Sequence, residues 1–399
     1  MTPNFPYIKS LLDNDFYKFT MQQGVIKLFP HSMARYEFIN RGKHIFPAGF
    51  ADLLRKAVDN MANFCLTLEE KNYLAEICPY FEPTYLDFLQ GYTYNPAEVI
   101  IEQHGNDLSV IIEGYWYRTI LWEVPIMALI SELFYYMNDS EAATSDEIST
   151  INKEKIEKYA KLGVTIAEFG TRRRHSYLVH RMVVKALEEY GSGTFVGTSN
   201  VHFAMRYNTK PIGTHAHEWF MFHAAKYGFK MSNSLGLEHW TAVYRGDLGI
   251  ALTDTYTTDI FFEQFDKKFS KLFDGVRHDS GDAIEFAEKT ISHYKQMGID
   301  PLSKTIIFSD ALNYDKVERI ANFCKGKIGM SFGIGTDFTN DVGLVPLNIV
   351  IKMTAALPEN QSWIPVVKLS DEKGKYTGDP KMIRLAKEIL GIEESLKLI

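Results

Sequence analysis

The alternation that begins near Gly163 constrains this chain more than any other feature. Short apolar runs recur at residues 164–169, 194–197, 211–214, 249–253, 275–278, 304–309 and 327–332. Amphipathic stretches such as 177–190, 282–297 and 314–324 separate most of them. Strand patterns alternating with helical patterns argue for a parallel sheet. Seven such units in succession favour a barrel, complete or incomplete, over an open doubly wound sheet.

The first part of the chain reads differently. Residues 51–64 space Leu53, Leu54, Ala57, Val58, Met61 and Ala62 as one face of a helix. Residues 99–103 and 108–113 flank a Gly105–Asn106–Asp107 turn and read as a hairpin. Residues 140–155 are polar and form a connection into an exposed helix. Near the C-terminus, 346–353 and 364–369 read as strands, 374–380 as turns and 382–390 as a short helix. The expected division is an N-terminal α/β domain over 1–140, completed by about 346–399, beside a barrel over 141–345.

Composition excludes several classes. The chain's 399 residues carry a formal net charge of −7, which disfavours nucleic acid as a partner. Apolar residues make up 46% and charged residues 23%, an ordinary globular balance. The three cysteines, Cys65, Cys78 and Cys324, form no CxxC pair, which argues against a disulfide framework and for a reducing compartment. Residues 1–10 lack the basic-then-apolar pattern of a signal peptide. No stretch reads as the roughly 20 apolar residues of a membrane span. The most apolar, 120–137, is interrupted by Glu123, Pro125 and Glu132 and reads as a buried helix.

Nearly every run of the middle region ends in a polar or glycine-containing cluster, and in a β/α barrel those ends converge on one face. Arg172, Arg173 and Arg174 follow the first run and offer bidentate donors to carboxylate or phosphate. Gly333, Gly335 and Thr336 follow the last; glycine lets backbone N–H groups approach a phosphate. Ser309 and Asp310, one strand earlier, would join that cradle. Asp254, Asp279 and Asp282 suit Mg²⁺ or ribose hydroxyls, or cap helices, and at least one is expected to be only a cap. Arg277, two residues before Asp279, would point the same way on a strand. His215 and His217 read as a metal pair, as one nucleophilic imidazole, or as plain polar residues opening a helix.

The blocks LLDNDFYKFTMQQ, EFGTRRRHS, GTHAHEWFM, VRHDSGD, IIFSDALN, SFGIGTD, PLNIVIKM and VVKLSD run in order from Leu11 to about Asp371. Taken together this set resembles the nicotinate phosphoribosyltransferase family. The resemblance implies an irregular, incomplete α/β barrel with an N-terminal α/β sandwich domain. It implies that nicotinate and 5-phosphoribosyl 1-diphosphate give nicotinate mononucleotide and diphosphate in NAD salvage. It also implies ATP as co-substrate in a ligase-type coupling, Mg²⁺, a cytoplasmic location, and a homodimer with shared sites.

Carried over by motif, His217 is the phosphohistidine, and His215 has no role. Phe169 stacks on the pyridine, and Tyr17 covers its other face from a partner subunit. Arg172, beside Gly170, meets the nicotinate carboxylate and phosphate. Asn200 contacts the ring substituent, and Thr214 and Asp254 belong to the substrate site. Arg277 and Asp279 hold the ribosyl group. Gly333, Gly335 and Thr336 bind the 5′-phosphate, with Ser309 and Asp310 nearby, and Asp279 and Asp282 are the Mg²⁺ ligands. His175 stands where a large apolar residue is expected. The alternatives are a nicotinamide or quinolinate phosphoribosyltransferase, a metal-dependent barrel hydrolase on His215 and His217, and a non-catalytic sensor.

Overall fold

The computed structural model describes residues 7–392 apart from 139, 141, 373 and 374. The first six residues, searched above for a signal, the last seven, and the opening of the turn-rich segment at 374 lie outside the described residues.

Two sheets organise the chain. The first is antiparallel, in the order β11-β10-β1-β3-β2. It joins β1 (Met33–Asn40), β2 (Val99–His104) and β3 (Asp107–Tyr115) to β10 (Ile349–Leu357) and β11 (Ile364–Pro365). The expected hairpin is present as β2 and β3, paired from Val99↔Ile112 to His104↔Asp107. Strand β10 lies along the whole of β1, with a register shift between Arg35 and Tyr36. The C-terminal strand thereby enters an otherwise N-terminal sheet.

The second sheet is parallel, in the order β5-β4-β9-β8-β7-β6. Its strands are β4 (Thr165–Glu168), β5 (Phe195–Thr198), β6 (Ile250–Leu252), β7 (Gly275–His278), β8 (Thr305–Phe308) and β9 (Gly329–Ile334). They are short and largely apolar, as strands covered by helices must be. A side chain at Gly275 would place its Cβ 1.8 Å from Thr305 O, so β7 can pair this closely only because that residue is glycine.

Six of the seven expected runs become named strands. The run at 211–214 does not. Pro211 has no N–H for a ladder, and it contributes a single bridge to Thr198. Strands β5 and β6 are therefore edges, and the barrel is incomplete. Beside β5, Asp15 bridges Asn200, and Phe16 N–H donates to Ser199 O at 2.7 Å. This contact draws the helix Phe16–Leu28 onto the open side of the barrel.

The stretch Trp116–Met137 is, by length and hydropathy, long enough to cross a membrane, which the sequence reading had denied. In the fold, 83% of its most apolar window is buried inside the protein. His175 stacks on Tyr135 with ring centroids 4.5 Å apart, so its imidazole occupies an apolar position through its face.

Candidate active site

The polar clusters at the strand ends divide their work. Some residues cap the next helix. Asn200 accepts from Phe203 N–H, Asn313 from Lys316 N–H, and Asp282 from Ile284 and Glu285 N–H. Capping of this kind satisfies N–H groups that have no partner in the first turn. Others, and Asn313 as well, line a cavity of about 490 Å³ between the C-terminal ends of the parallel strands and the faces of β1 and β10.

One end of the cavity is aromatic and cationic. Tyr17 and Phe169 both line it, with Arg172 and Arg173. A Cβ on Gly333 would come within 3.1 Å of the Phe169 ring, so glycine lets that ring lie against β9. A Cβ on Gly213 would lie 3.1 Å from Tyr17 N, and the same backbone there has φ near 152°. Arg172 Nη1 is 3.3 Å from Glu123 Oε1, and its Nε is 3.8 Å from Asp15 Oδ2. The third arginine turns away. Arg174 is buried and forms a bidentate pair with Asp13 at 2.7 and 3.0 Å.

The lining also holds His217, Asp279, Arg277, Ser309 and, beside Phe169, the turn through Gly333, Gly335 and Thr336. His217 Nε2 lies 3.0 Å from Asp279 Oδ2 and 3.8 Å from Asp254 Oδ1, while Nδ1 lies 3.0 Å from Thr255 Oγ1. Burial and then the Lys368 ammonium push the His217 imidazole down to about 4, so it is neutral near pH 7. Arg277 Nη2 is 3.5 Å from Asp279 Oδ1, and Ser309 Oγ is 2.9 Å from the same oxygen. His217, Asp254 and Asp279 form the one group among the described residues with metal-ligand spacing. Asp254 Oδ1 has no hydrogen-bond partner, so one buried carboxylate lone pair is open to a hard cation.

Several expected site residues stand elsewhere. Asn200 is buried, capping its helix and donating to Asp13 Oδ1 at 2.8 Å, because a strand-end Asn serves the nearest unpaired N–H groups first. Thr214 donates to Ile250 O at 3.0 Å. Gly170 lies behind the wall, where a Cβ would meet Thr339 Oγ1 at 2.0 Å. Asp310 faces Lys375 at 3.8 Å outside the lining. Asp282 borders a different cavity and pairs with Arg319 at 3.3 Å, so it is a cap and not a partner of Asp279.

His215 does not join His217. Its ring is held edge-on between Phe220 and Trp240, with centroids 5.2 and 4.8 Å away, and neither nitrogen has a partner. The paired-histidine hydrolase reading fails on this geometry. Tyr17 also departs from expectation. It reaches the cavity from the same chain as Phe169, because the helix it opens is bonded to the end of β5.

Three charged positions at the site escape a reading of the sequence. Lys352 on β10 lines the cavity, and burial followed by the Lys368 charge brings its ammonium down to about 8. Lys368 Nζ stands 2.9 Å from His217 Nε2 and 3.1 Å from Asp254 Oδ2. Glu123 lines the cavity beside Arg172; burial would raise its carboxyl, but Lys18 and Arg172 outweigh that and hold it at about 2. The available signal was a lone charge inside an apolar run, as in IVIKM, VVKLSD and ILWEVP.

The arrangement can clamp a flat anionic ring and, beside it, phosphate groups, with a neutral imidazole between carboxylates. Residues 164–394 match the nicotinate phosphoribosyltransferase (NAPRTase) family, and residues 12–131 match the NAPRTase N-terminal domain. A nicotinate phosphoribosyltransferase of Chromohalobacter salexigens is 64% identical over 385 residues, covering 96% of this chain and 99% of the relative. One from Desulforapulum autotrophicum is 50% identical, covering 93% and 96%. The crystal structure of the Porphyromonas gingivalis nicotinate phosphoribosyltransferase superposes with a TM-score of 0.94 at 43% identity, covering 96% of this chain and 100% of that one. The Vibrio cholerae structure gives 0.92 at 34% identity, covering 98% and 95%. On its fold, its cavity and these relatives, the chain belongs to the nicotinate phosphoribosyltransferase family.

Proposed function

We propose that this chain forms nicotinate mononucleotide in the single cavity described above, and couples that reaction to ATP hydrolysis through His217. The observation that carries the proposal is the placement of an aromatic, arginine-flanked slot within the same cavity as a neutral imidazole and a glycine-amide turn.

Nicotinate lies between Tyr17 and Phe169, with its carboxylate on Arg172. The 5′-phosphate of the donor sits on the amides of Gly333, Gly335 and Thr336. Arg277 and Lys352 face the diphosphate, and Asp279 the ribosyl hydroxyls. Diphosphate leaves C1 with oxocarbenium character and the pyridine nitrogen adds, so the protein's contribution is placement and charge stabilisation. Enclosure matters, since water would compete for the sugar cation. Asp254 and Asp279 are the residues that would hold Mg²⁺, which when bound screens the diphosphate charge.

His217 takes the γ-phosphoryl group of ATP on Nε2, the N–P bond forming as the bond to the departing ADP breaks. The neutral imidazole supplies the lone pair, and Thr255 fixes the ring through the other nitrogen. Arg172 and Arg173 favour an acid over an amide at the ring position. A cytoplasmic location is part of the proposal and accords with three free cysteines. Within one chain, Tyr17 and Phe169 both line the cavity, and a homodimer is part of the proposal.

Mononucleotide formation from nicotinate, nicotinamide and quinolinate, with and without ATP, tests the reading. Nicotinate should be the preferred substrate, with ATP raising the yield. Labelled γ-phosphate should stay on the wild-type protein and vanish in His217→Ala; undiminished labelling of that variant removes the phosphohistidine.

A further inference from the structure

Four cations line the cavity: Arg172, Arg173, Arg277 and Lys352. Five carboxylates line it as well: Glu123, Glu218, Asp279, Asp337 and Asp341. Taken alone, that wall would repel an anionic substrate. Three lysines outside the lining offset much of that charge. Lys368 meets Asp254 and Asp279 at 3.1 and 3.8 Å, and Lys155 meets Asp341 at 2.6 Å and Asp337 at 3.4 Å.

The third is Lys18, whose side chain is 0% exposed. Its Nζ lies 2.5 Å from Glu123 Oε2 and also pairs with Glu218 Oε1. The second oxygen of Glu218 accepts from Tyr36 Oη and lies 3.4 Å from Trp116 Nε1. The second oxygen of Glu123 faces Arg172 at 3.3 Å. Glu123 is thus shared, one oxygen to the hidden lysine and one to the arginine of the ring slot.

We propose that Lys18 is a specificity-determining positioning residue: by holding Glu123 and Glu218 it keeps Glu123 from engaging Arg172 with both oxygens, so that the guanidinium can meet the carboxylate of a pyridine acid. This rests on the reading that Arg172 meets that carboxylate. Without Lys18, the released Glu123 oxygen closes on Arg172 as a bidentate pair and the guanidinium is lost to the substrate. Loss of that cation from the slot penalises an anion and not a neutral amide.

The test uses the full chain as wild type, Lys18→Met, Lys18→Arg and the double variant Lys18→Met/Glu123→Gln. Folding is checked by circular dichroism and thermal melting. Lys18→Met should raise the nicotinate KM at least about tenfold while kcat stays within about threefold. Inhibition by nicotinamide should be equal or tighter. Lys18→Arg should recover most of the loss, and the double variant should return KM to within about threefold of wild type. A folded Lys18→Met with an unchanged nicotinate KM overturns the proposal. So does a roughly tenfold rise in the double variant, which decides the matter even where the single variant does not fold. If wild type forms no mononucleotide from nicotinate, the functional reading itself falls. If it does and Lys18→Met keeps its KM, only the role of Lys18 falls.

Discussion

Lys368 places its ammonium 2.9 Å from His217 Nε2, across 151 residues of sequence. That nitrogen is also 3.0 Å from Asp279 Oδ2, so a cation and an anion share one edge of the imidazole. If His217 accepts a phosphoryl group, Lys368 is the nearest positive charge to receive it. Lys368→Met should reduce labelling of His217 by γ-labelled ATP by on the order of 10²-fold. Labelling at the wild-type level would remove Lys368 from the phosphoryl step.

Tyr17 and Phe169 line one cavity within one chain. Mixing inactive Tyr17→Ala with inactive Arg277→Ala should therefore restore no activity, and specific activity should not fall on dilution. Recovery on mixing would show that two chains build the site.

Asp279 and Asp282 are three residues apart and do different things. Asp282 accepts from Ile284 and Glu285 N–H and borders another cavity. Asp282→Ala should lower stability by about 1 kcal/mol, the usual worth of a helix cap, and leave turnover near wild type. Asp279→Asn should abolish turnover while the protein stays folded. Equal kinetic losses in both variants would return Asp282 to the site.

Asp13 and Arg174 are a fully buried pair, each 0% exposed. Asp13→Ala leaves a guanidinium in the core without its carboxylate, and should cost roughly 3–5 kcal/mol in urea unfolding. A loss under about 1 kcal/mol would mean that the pair contributes no more than a surface one.

Burial holds the Glu132 carboxyl up to about 7, against the pull of Arg174 and the Tyr177 N–H. Its ordinary value is 4.5, so between these values the folded state binds more protons than the unfolded one. Stability contributed at this residue therefore falls as pH rises through that window, by on the order of 3 kcal/mol in all. Glu132→Gln keeps an oxygen for Tyr177 N–H and removes the charge. Its melting temperature should exceed wild type at about pH 8, with the gap closing below about pH 4.5. A gap independent of pH would contradict the raised carboxyl.

Much of this molecule is legible in its sequence, and the part that is not has a physical cause. The alternation after Gly163 specifies parallel strands and helices, because periods of two and 3.6 are local properties of the chain. Parallel strands then bring their C-terminal ends to one face, so Phe169, Arg277, Ser309 and Gly333 meet without further information. What each strand-end residue does is settled by tertiary structure. Arg172 and Arg174 differ by two positions, yet one faces the cavity and the other the core, because Asp13 arrives from another segment. Lys18 and Lys368 reach the site through contacts spanning 200 and 151 residues, Lys352 through a strand of the other sheet, and contacts at such separations leave no periodic trace. Local spacing encodes where the backbone goes, while the sign of the charge in the cavity is a property of distant side chains brought together only by the fold.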